Sequence, residues 1–477
     1  MSTRLSQLSS QFTAVTRPSD DLQRERSKAS FPISKLSDHF YGGPSGVTAR
    51  FQITSDFERD PSFRMHDVHD LTRAQIRERI MTRLPSVIKW SKQDAPEIFR
   101  MRNDLLAAID PGFQTRIGVH FGLFCKTIEL QGTPPQVKYW TDKGMLTFGV
   151  IGCFAMTELG HGSNVSALET TAIFDSTTDE FIINSPTPTS MKWWIGGAAE
   201  SATHSVVFAN LIIGDRSYGV KPFVTPLRDP ATFKCYPGVS IGDIGAKMGR
   251  NGIDNGWIQF TNYRIPRSYM LMRFTKVDRQ GKVTEPPFPQ LVYGALVFAR
   301  TSIIRESVET SRKALTIALR YSCVRRQFGP DDGLEQPIIE LQTHKQRLIP
   351  LLAMCYAMHF AGQKVTSSYY ALMEQIKTDL QGGLRGLKDF HGITAGLKAH
   401  CTWRASEIID QCRQACGGQG YSSYNGLASL FVDFVVQCTW EGDNTVLMLQ
   451  TGNYLVNSFL KSQVESSSFR LKTNSRS

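Results

Sequence analysis

Features that would mark a membrane protein or a nucleic-acid-binding protein are missing from this chain of 477 residues. No stretch reaches the ~18 consecutive apolar residues that a membrane span requires. The longest near-candidate, residues 348–362, contains Pro350 and His359 and is typical of a buried helix. No run of five basic residues occurs, and no zinc-finger, RNP or basic-zipper pattern is present. We therefore expect neither a membrane span nor a nucleic-acid partner.

The nine cysteines form no Cys-x-x-Cys pair. Cys412 and Cys416 are spaced to share a helix face, but no histidine lies at zinc-site spacing from them. An odd number of cysteines in a long chain without a signal peptide is typical of free thiols in a reducing compartment. The sequence predicts no metal site.

Positive charge is in excess, but it is not clustered. Lys and Arg total 54 against 43 Asp and Glu, a net charge of +11, and the basic residues are interspersed with acids. A scattered excess of this kind favours small phosphate-bearing ligands, such as nucleotide cofactors, over long polyanions. The apolar fraction of 41% is ordinary for a globular protein.

The texture of the sequence changes twice along the chain, and we predict an α+β multidomain protein. An N-terminal arm and helical domain cover residues 1–150, where apolar residues recur at helical spacing. Short β-branched runs separated by turn residues predict a central antiparallel β-barrel or sandwich domain over 151–280. A C-terminal helical bundle follows over 281–463, interrupted by an expected glycine-rich loop at 379–386. A polar tail, expected to be disordered, covers 464–477.

Two segments of the central domain hold residues that packing alone does not explain. In residues 153–164, glycines allow close approach to a ligand, and Thr157 and Ser163 can hydrogen-bond its polar edge. The alternative for this segment is a tight turn between a helix and a strand. In residues 192–199, two indoles beside Gly-Gly can line the binding site of a flat ring system. The alternative is that they belong to the hydrophobic core.

The C-terminal helices carry two further candidates. Arg325 and Arg326 end a long predicted helix, where they either stabilise the helix dipole or clamp a pyrophosphate. The Gly-Gly-x-Gly of residues 417–420 follows a helix rather than a strand, so it is not a dinucleotide-binding fingerprint of the βαβ type.

Glu441 stands between an aromatic residue and a glycine in a mostly apolar neighbourhood. Partial burial raises the pKa of such a carboxyl towards neutrality, which suits a general base. The alternative is a second acid at a helix N-terminus, because Asp443 or Asn444 is placed to cap the helix that follows.

Five long segments in consistent order resemble the acyl-CoA oxidases, the flavin-dependent β-oxidation enzymes of peroxisomes. The resemblance runs from residue 24 to about residue 460, and it is nearest to the yeast and filamentous-fungal oxidases. The acyl-CoA dehydrogenases are broader relatives that share the order of helices, β-domain and helices. The segments are TELGHGSNVSALETTAIFD, INSPTPTSMKWWIGGAAESATH, GDIGAKMGRNGIDNGWIQFTNYRIPR, RQACGGQGY and CTWEGDNTV.

The resemblance implies that FAD binds between the β-domain and the C-terminal helices, in a homodimer whose partner subunit completes the site. The residues implied to lie at the flavin are Thr157, Ser163, Trp194, Gly196, Asp443 and Thr445. The residues implied to bind the adenine-dinucleotide end across the dimer interface are Arg325, Phe328, Gln414 and Gly418. Gly196 stands where the oxidases carry glycine and the dehydrogenases usually carry threonine.

Glu441 matches the catalytic base of the family. The implied reaction removes the α-proton of an acyl-CoA thioester while the β-hydrogen leaves as hydride, giving a trans-2-enoyl-CoA. Oxygen is then reduced to H₂O₂. Arg300 matches a weaker pattern, an arginine near the mouth where the substrate CoA binds.

One departure from the family pattern keeps alternatives open. Peroxisomal acyl-CoA oxidases usually continue into a second C-terminal helical domain, and this sequence ends shortly after the first. The alternatives are an acyl-CoA dehydrogenase with a flavoprotein electron acceptor, and a non-catalytic flavin- or acyl-CoA-binding partner of a full-length oxidase. A specialised biosynthetic pathway stands beside fatty-acid β-oxidation.

The resemblance implies a peroxisomal location, with the cytoplasm as the alternative. The terminal residues 475–477, Ser-Arg-Ser, are only similar to the peroxisomal tripeptide.

Overall fold

Helices make up the N-terminal region of the structure, a computed structural model that describes residues 18–285, 294–329 and 335–474. They are α1 (Pro18–Ser27), α2 (Ile33–Tyr41), α3 (Pro44–Arg59), α4 (Arg73–Met81), α5 (Leu84–Gln93), α6 (Pro96–Ile109), α7 (Pro111–Ile117), α8 (Lys126–Gln131) and α9 (Pro134–Asp142), with a π-helical segment over Gly118–Cys125. Reciprocal side-chain caps begin two of them, Thr72 with Gln75 at α4 and Thr133 with Gln136 at α9. Residues 1–17 of the predicted arm lie outside the described residues.

The break between α4 and α5 has a local cause. Pro85 lies in the first turn of α5 and has no N–H to bond the carbonyl four residues earlier. Arg83 at the break turns inward, donates to the carbonyl of Ser62 at 2.8 Å and pairs with Asp110. The interruption therefore places a buried cation among the helices of this domain.

The central domain is built from two main sheets and a short hairpin. Its strands are β1 (Gly152–Ala155), β2 (Thr171–Asp175), β3 (Glu180–Asn184), β4 (Lys192–Gly196), β5 (His204–Ile213), β6 (Arg216–Pro226), β7 (Val239–Asp243), β8 (Asn255–Phe260), β9 (Tyr263–Pro266), β10 (Lys276–Val277) and β11 (Val283–Thr284). The larger sheet has the order β1-β5-β2-β3-β9, with β6 also paired to β5, and the smaller has the order β4-β8-β7.

Strand β5 organises the larger sheet. One edge of β5 pairs in parallel with β1 over residues 204–207 and with β2 over residues 210–212, while the other edge pairs antiparallel with β6. The predicted β-domain is confirmed, and within it the larger sheet is mixed rather than wholly antiparallel. Alternation of apolar residues reports which face of a strand is buried, but it does not report the direction of the neighbouring strand.

A fully buried ion pair joins strand β4 to the segment after β1. Lys192 Nζ lies 2.9 Å from Glu158 Oε1, and both side chains are fully buried. The lysine also donates to the carbonyls of Met156 at 3.1 Å and Phe208 at 2.7 Å. Glu158 in turn accepts from the Thr170 N–H at 2.9 Å. These bonds hold residues 156–170 against the start of β4.

The C-terminal region is confirmed as a helical domain. Its helices are α10 (Gly294–Val324), α11 (Gln342–Thr378), α12 (Leu380–Ala415), α13 (Leu427–Phe434) and α14 (Asn444–Asn474). Ile304, Val308 and Leu315 of α10 lie on one helix face and are buried in the core shared with α11 and α12. Only the backbone of the last turns of α14, after residue 463, is described.

Two expectations for this region were wrong. Residues 379–386 do not form a long loop, because α12 begins at Leu380, where the Asp379 side chain accepts from the Gly382 N–H at 3.0 Å and caps it. Their glycines let α12 pack closely on α11, since a Cβ at Gly383 would lie 2.5 Å from Ile376. The polar tail is not irregular over residues 464–474 either, because α14 continues to Asn474, and residues 475–477 lie outside the described residues. Polar composition does not prevent a helix from propagating once it has begun.

Over the described ranges, none of the helices is apolar and long enough to cross a membrane. The same residues contain no group of three or more His, Cys, Asp and Glu side chains placed to hold a metal ion. All nine cysteines are free.

Replacing Lys192 with Met is expected to lower the free energy of unfolding by about 3–5 kcal/mol, because Glu158 would stay buried without its partner. Denaturant titration followed by tryptophan fluorescence measures the change. The double variant Lys192→Met with Glu158→Gln should lose less, since no buried charge is then left unpaired. Equal losses in the single and double variants would contradict this account.

Candidate functional site

Glu441 lies on a short loop before α14, and its backbone conformation is not helical. Its φ is +55° and that of Gly442 is +104°, so the chain turns through two left-handed residues. The cap of α14 is Asp443, whose Oδ1 accepts from the N–H groups of Thr445 at 2.9 Å and Val446 at 3.2 Å. Because Asp443 performs the capping, the Glu441 carboxyl is available for another role.

Two buried cations hold this loop from neighbouring helices. Arg300 of α10 donates its Nε–H to the carbonyl of Glu441 at 3.3 Å, and its Nη1 lies 3.2 Å from His391 Nδ1. Lys398 of α12 donates from Nζ to the carbonyl of Gly442 at 2.8 Å. Each cation therefore bonds a backbone carbonyl of the loop.

Burial raises the pKa of Glu441, and the positive charges of Arg300 and Lys398 oppose that effect. A carboxyl balanced in this way suits proton transfer to and from carbon near neutral pH. Arg300, predicted near the CoA mouth, lies buried beneath the loop, where its side chain reaches the Glu441 peptide.

A chain of buried polar contacts joins the Glu441 loop to all three domains. Glu306 of α10 accepts from Gln114 Nε2 of α7 at 2.9 Å and from Gln437 Nε2 at 2.5 Å. Gln437 Oε1 accepts the indole N–H of Trp440 at 2.5 Å. Arg250, from the β-domain, lies over the Trp440 ring at 4.8 Å from its centroid. The residue before Glu441 is thus fixed by the N-terminal, central and C-terminal domains together.

The structure brings the predicted flavin-edge residues of the central domain together beside β4. The Thr157 carbonyl accepts from the Trp193 N–H at 3.0 Å, and among the described residues no hydrogen bond reaches the Thr157 hydroxyl. Trp194 has a φ of +69°, and its side chain is 59% exposed, so this indole is not core. Asn255 holds its backbone by donating to the Trp194 carbonyl at 2.9 Å. Ser163 is exposed on the same segment as Thr157.

Gly196, at the end of β4, lies in a tight place. A Cβ there would lie 2.7 Å from Cδ1 of Ile253 and 3.3 Å from Cγ2 of Val119. A threonine at this position would therefore require both apolar side chains to shift.

The four residues predicted for the adenine-dinucleotide end line one groove of about 450 Å³ between α10, α11 and the end of α12: Arg325, Phe328, Gln414 and Gly418. Arg325 is exposed, and no hydrogen bond or ion pair with the described residues engages its guanidinium. Arg326 instead pairs at 2.7 Å with the buried Asp21 of α1. Of the two neighbouring arginines, Arg326 thus has the structural role and Arg325 is available to an anionic ligand.

Sequence reasoning missed the buried polar residues that support the Glu441 loop, namely Arg250, Glu306, Lys398 and Gln437. Lys398 had a detectable signal, because it lies on the same helix face as Ala395, Ala399 and Thr402, all buried. A buried lysine on a helix face of small residues is unusual unless its charge interacts with another polar or charged group. Glu306 and Gln437 had no such signal, because their partners come from distant segments.

The order of helices, β-domain and helices, with an acid on a loop before the last helix, defines the acyl-CoA dehydrogenase and oxidase class. Family models match residues 32–144 (acyl-coenzyme A oxidase N-terminal), 153–263 (acyl-CoA dehydrogenase, middle domain) and 293–456 (acyl-CoA oxidase, C-alpha1 domain). The chain belongs to the acyl-CoA oxidase family.

Relatives and solved structures support that assignment. Acyl-coenzyme A oxidase 3 of Yarrowia lipolytica is 47% identical over 459 residues, which cover 94% of this chain and 66% of that protein. The crystal structure of acyl-CoA oxidase 1 from Yarrowia lipolytica superposes with a TM-score of 0.91 at 44% identity, over 94% of this chain and 68% of the other. Arabidopsis thaliana acyl-CoA oxidase 1 follows with a TM-score of 0.86 at 36% identity, over 92% and 67%. The chain spans just under two thirds of the length of the curated Yarrowia oxidases that it matches.

Replacing Glu306 with Gln is expected to lower the free energy of unfolding by about 1–3 kcal/mol. Gln114 and Gln437 donate to different oxygens of the Glu306 carboxylate, so one of these donors would face an amide NH₂ group in the variant. Denaturant titration provides the measurement. Glu407→Gln is the matched control, since Glu407 is exposed and, in the described part of the chain, pairs only with Arg404 at 2.5 Å on the surface of α12. The control should change the value by less than about 0.5 kcal/mol. A loss no larger than that of the control would contradict the bridging role of Glu306.

Proposed function

We propose that this protein is an FAD-dependent acyl-CoA oxidase that desaturates an acyl-CoA to its trans-2-enoyl-CoA and reduces O₂ to H₂O₂. The observation that carries the proposal is Glu441 itself, an acid freed from helix capping and flanked by two buried cations. Two opposing effects act on its carboxyl, because burial raises its pKa and the two cations lower it, and this balance suits a general base. The names of the relatives, acyl-coenzyme A oxidases, agree with this chemistry.

The residues present fit an FAD, which the family implies. Thr157 offers an uncommitted hydroxyl, Trp194 offers an exposed ring on a fixed backbone, and Arg325 offers an uncommitted guanidinium in the groove. Gly418 leaves open space in the same groove, since no atom lies within 4 Å of a Cβ built there. One related structure is that of acyl-CoA oxidase-2 of Caenorhabditis elegans bound with FAD, ascaroside-CoA and ATP. We assign Thr157, Ser163, Trp194, Gly196, Asp443 and Thr445 to the flavin end, and Arg325, Phe328, Gln414 and Gly418 to the adenine end.

The protein's own part in the reaction is proton removal and orientation. Glu441 takes the α-proton, and the electron pair of that C–H bond forms the new C=C bond as the β-hydrogen departs with its own pair. The backbone N–H of Glu441 polarises the thioester oxygen, because an unactivated α-carbon is too weak an acid. When bound, FAD supplies the acceptor for the β-hydrogen and the reactivity towards O₂. Arg300 and Lys398 hold the loop, and Trp440 is held by Gln437.

The assembly and the location are also proposals. We propose a homodimer, supported by apolar side chains of α14 that are exposed in the single chain, among them Leu449, Val456, Phe459 and Leu460. We propose a peroxisomal location from the family alone. Arg300 is buried, so we propose that it acts on the substrate through the Glu441 loop.

Glu441→Gln is expected to slow flavin reduction by acyl-CoA at least ~10²-fold, because the general base is removed. Anaerobic bleaching of the flavin spectrum measures the step, and H₂O₂ release in air measures the oxidase reaction. Glu407→Gln, an exposed change on α12, is the control and should behave as wild type.

Three outcomes of this experiment would contradict the proposal. A reduced flavin that is stable in air would indicate a dehydrogenase. No reduction by any acyl-CoA would indicate a non-catalytic partner subunit. Full activity in Glu441→Gln would remove Glu441 from the chemistry.

The rate of flavin reduction is expected to rise with pH through an acid limb whose midpoint lies above the ordinary glutamate value of about 4.3. The rate rises with pH because the Glu441 carboxyl must lose its proton before it can accept another. The midpoint lies above the ordinary value because burial raises the pKa of Glu441. Stopped-flow reduction across pH 5–9 gives the midpoint. A rate that shows no acid limb between pH 5 and pH 9 would contradict the assignment.

A further inference from the structure

Lys398 is placed to control both the position and the charge of the Glu441 loop. Its side chain is fully buried in α12, and Nζ donates to the carbonyl of Gly442 at 2.8 Å and to Asn444 Oδ1 at 3.0 Å. Asn444 is oriented by its own amide, whose Nδ2 donates to Thr402 Oγ1 at 2.9 Å and to the Ala399 carbonyl at 3.3 Å. The amide oxygen of Asn444 is therefore fixed towards the lysine.

The charge of Lys398 has no direct ion-pair partner in the part of the chain that the structure describes. Lys192, equally buried, shows the usual arrangement, because Glu158 neutralises it at 2.9 Å. Among the described residues, Lys398 instead has only neutral oxygens within hydrogen-bond distance. An unpaired buried ammonium destabilises a fold, so packing alone does not explain this lysine.

The carboxylates that act on Lys398 are those of the loop it holds. Glu441 and Asp443 attract its charge, Arg300 of α10 repels it, and the Cys438 thiol faces it from the segment before the loop. Glu441 in turn is subject to the positive charges of Lys398 and Arg300. The lysine therefore acts electrostatically on the carboxyl that the proposed reaction uses.

We propose that Lys398 is a positioning residue, which anchors the segment from Gly442 to Asn444 and keeps the Glu441 carboxyl ionised so that it can accept the α-proton. The proposal rests on the proposed function, because it concerns the base of that reaction. Arg300 anchors the carbonyl of Glu441 and Lys398 anchors the next carbonyl, so the base is held on both sides of its Cα.

The directions of the pKa shifts agree with this geometry. Burial raises the pKa of Glu441, and the Lys398 charge lowers it. Burial also lowers the pKa of Lys398 to about 8, against the attraction of Glu441. The lysine thus carries its charge at neutral pH and loses it as the pH rises past about 8.

The test compares the pH profile of flavin reduction in wild type, Lys398→Met and Thr402→Val. Wild-type reduction by acyl-CoA is established first, because its absence would refute the proposed function rather than this inference. In Lys398→Met the acid limb should move to higher pH by about one unit or more, since Glu441 has lost an opposite charge. Thr402→Val loosens the same anchor without changing a charge, so its acid limb should not move. An active wild type and an unmoved limb in Lys398→Met would overturn the inference.

A second variant keeps the test decisive if Lys398→Met does not fold. Asn444→Asp retains the shape of the anchor and places a carboxylate beside Nζ, which diverts the lysine charge from Glu441. Its acid limb should also move to higher pH. A limb that stays at the wild-type position would contradict the electrostatic role of Lys398.

The pH dependence of stability reports the charge of Lys398 and does not require catalytic turnover. Because the pKa of the folded lysine is about 8 and the unfolded value is about 10.4, the unfolded chain binds the extra proton between these values. The melting temperature of wild type relative to Lys398→Met should therefore rise as the pH increases across this window. A difference in melting temperature between the two proteins that does not change with pH would overturn the assignment of Lys398 as an unpaired buried cation.

Discussion

The hydrogen bonds that Arg300 and Lys398 donate to consecutive backbone carbonyls are the constraint on which the site depends. They come from α10 and α12, which share one core, so the loop between the end of α13 and α14 cannot move without disturbing that core. The left-handed conformation of Glu441 is unfavourable for a residue with a side chain, and it persists because the surrounding bonds stabilise it. The same two cations balance the effect of burial on the carboxyl.

Coupling between domains follows from the contacts of Trp440 and Gln437. Glu306 accepts from one glutamine of the N-terminal domain and from one of the loop, and Arg250 covers the Trp440 ring from the central domain. The Glu441 loop is therefore positioned by three domains at once. Interfaces made of satisfied buried polar groups specify one arrangement, because any other leaves charged or polar atoms unpaired. The Lys192–Glu158 pair applies the same rule inside the central domain, where it orients the segment that carries Thr157.

Much of the fold and the candidate site could be predicted from the residues in order. Short β-branched runs bounded by turn residues predicted the strands of the central domain, and helical spacing predicted the flanking helices. The segments that carry Thr157, Trp194 and Glu441 stood out because glycines and polar residues interrupt apolar runs there. In each case the signal is local, since strand alternation and helical periodicity depend only on neighbours in sequence.

Other features could not be predicted, because they depend on residues far apart in the chain. The parallel pairing of β5 with β1 and β2 and the Glu306 network both result from contacts between distant segments. The different roles of Arg325 and Arg326 could be told apart only from the structure, because α1 brings Asp21 to Arg326 and not to Arg325.

By itself, the sequence determined the order of helical, β and helical domains, because composition and periodicity act locally, and it marked Glu441 as a candidate base with a helix-terminal acid as the alternative. The tertiary structure decided which acid caps α14, which arginine stays available in the groove and which cations surround Glu441. Those outcomes depend on the burial of charged groups and on which distant partners reach them. Both are properties of the packed chain, since the cost of an unpaired charge arises only when water is excluded.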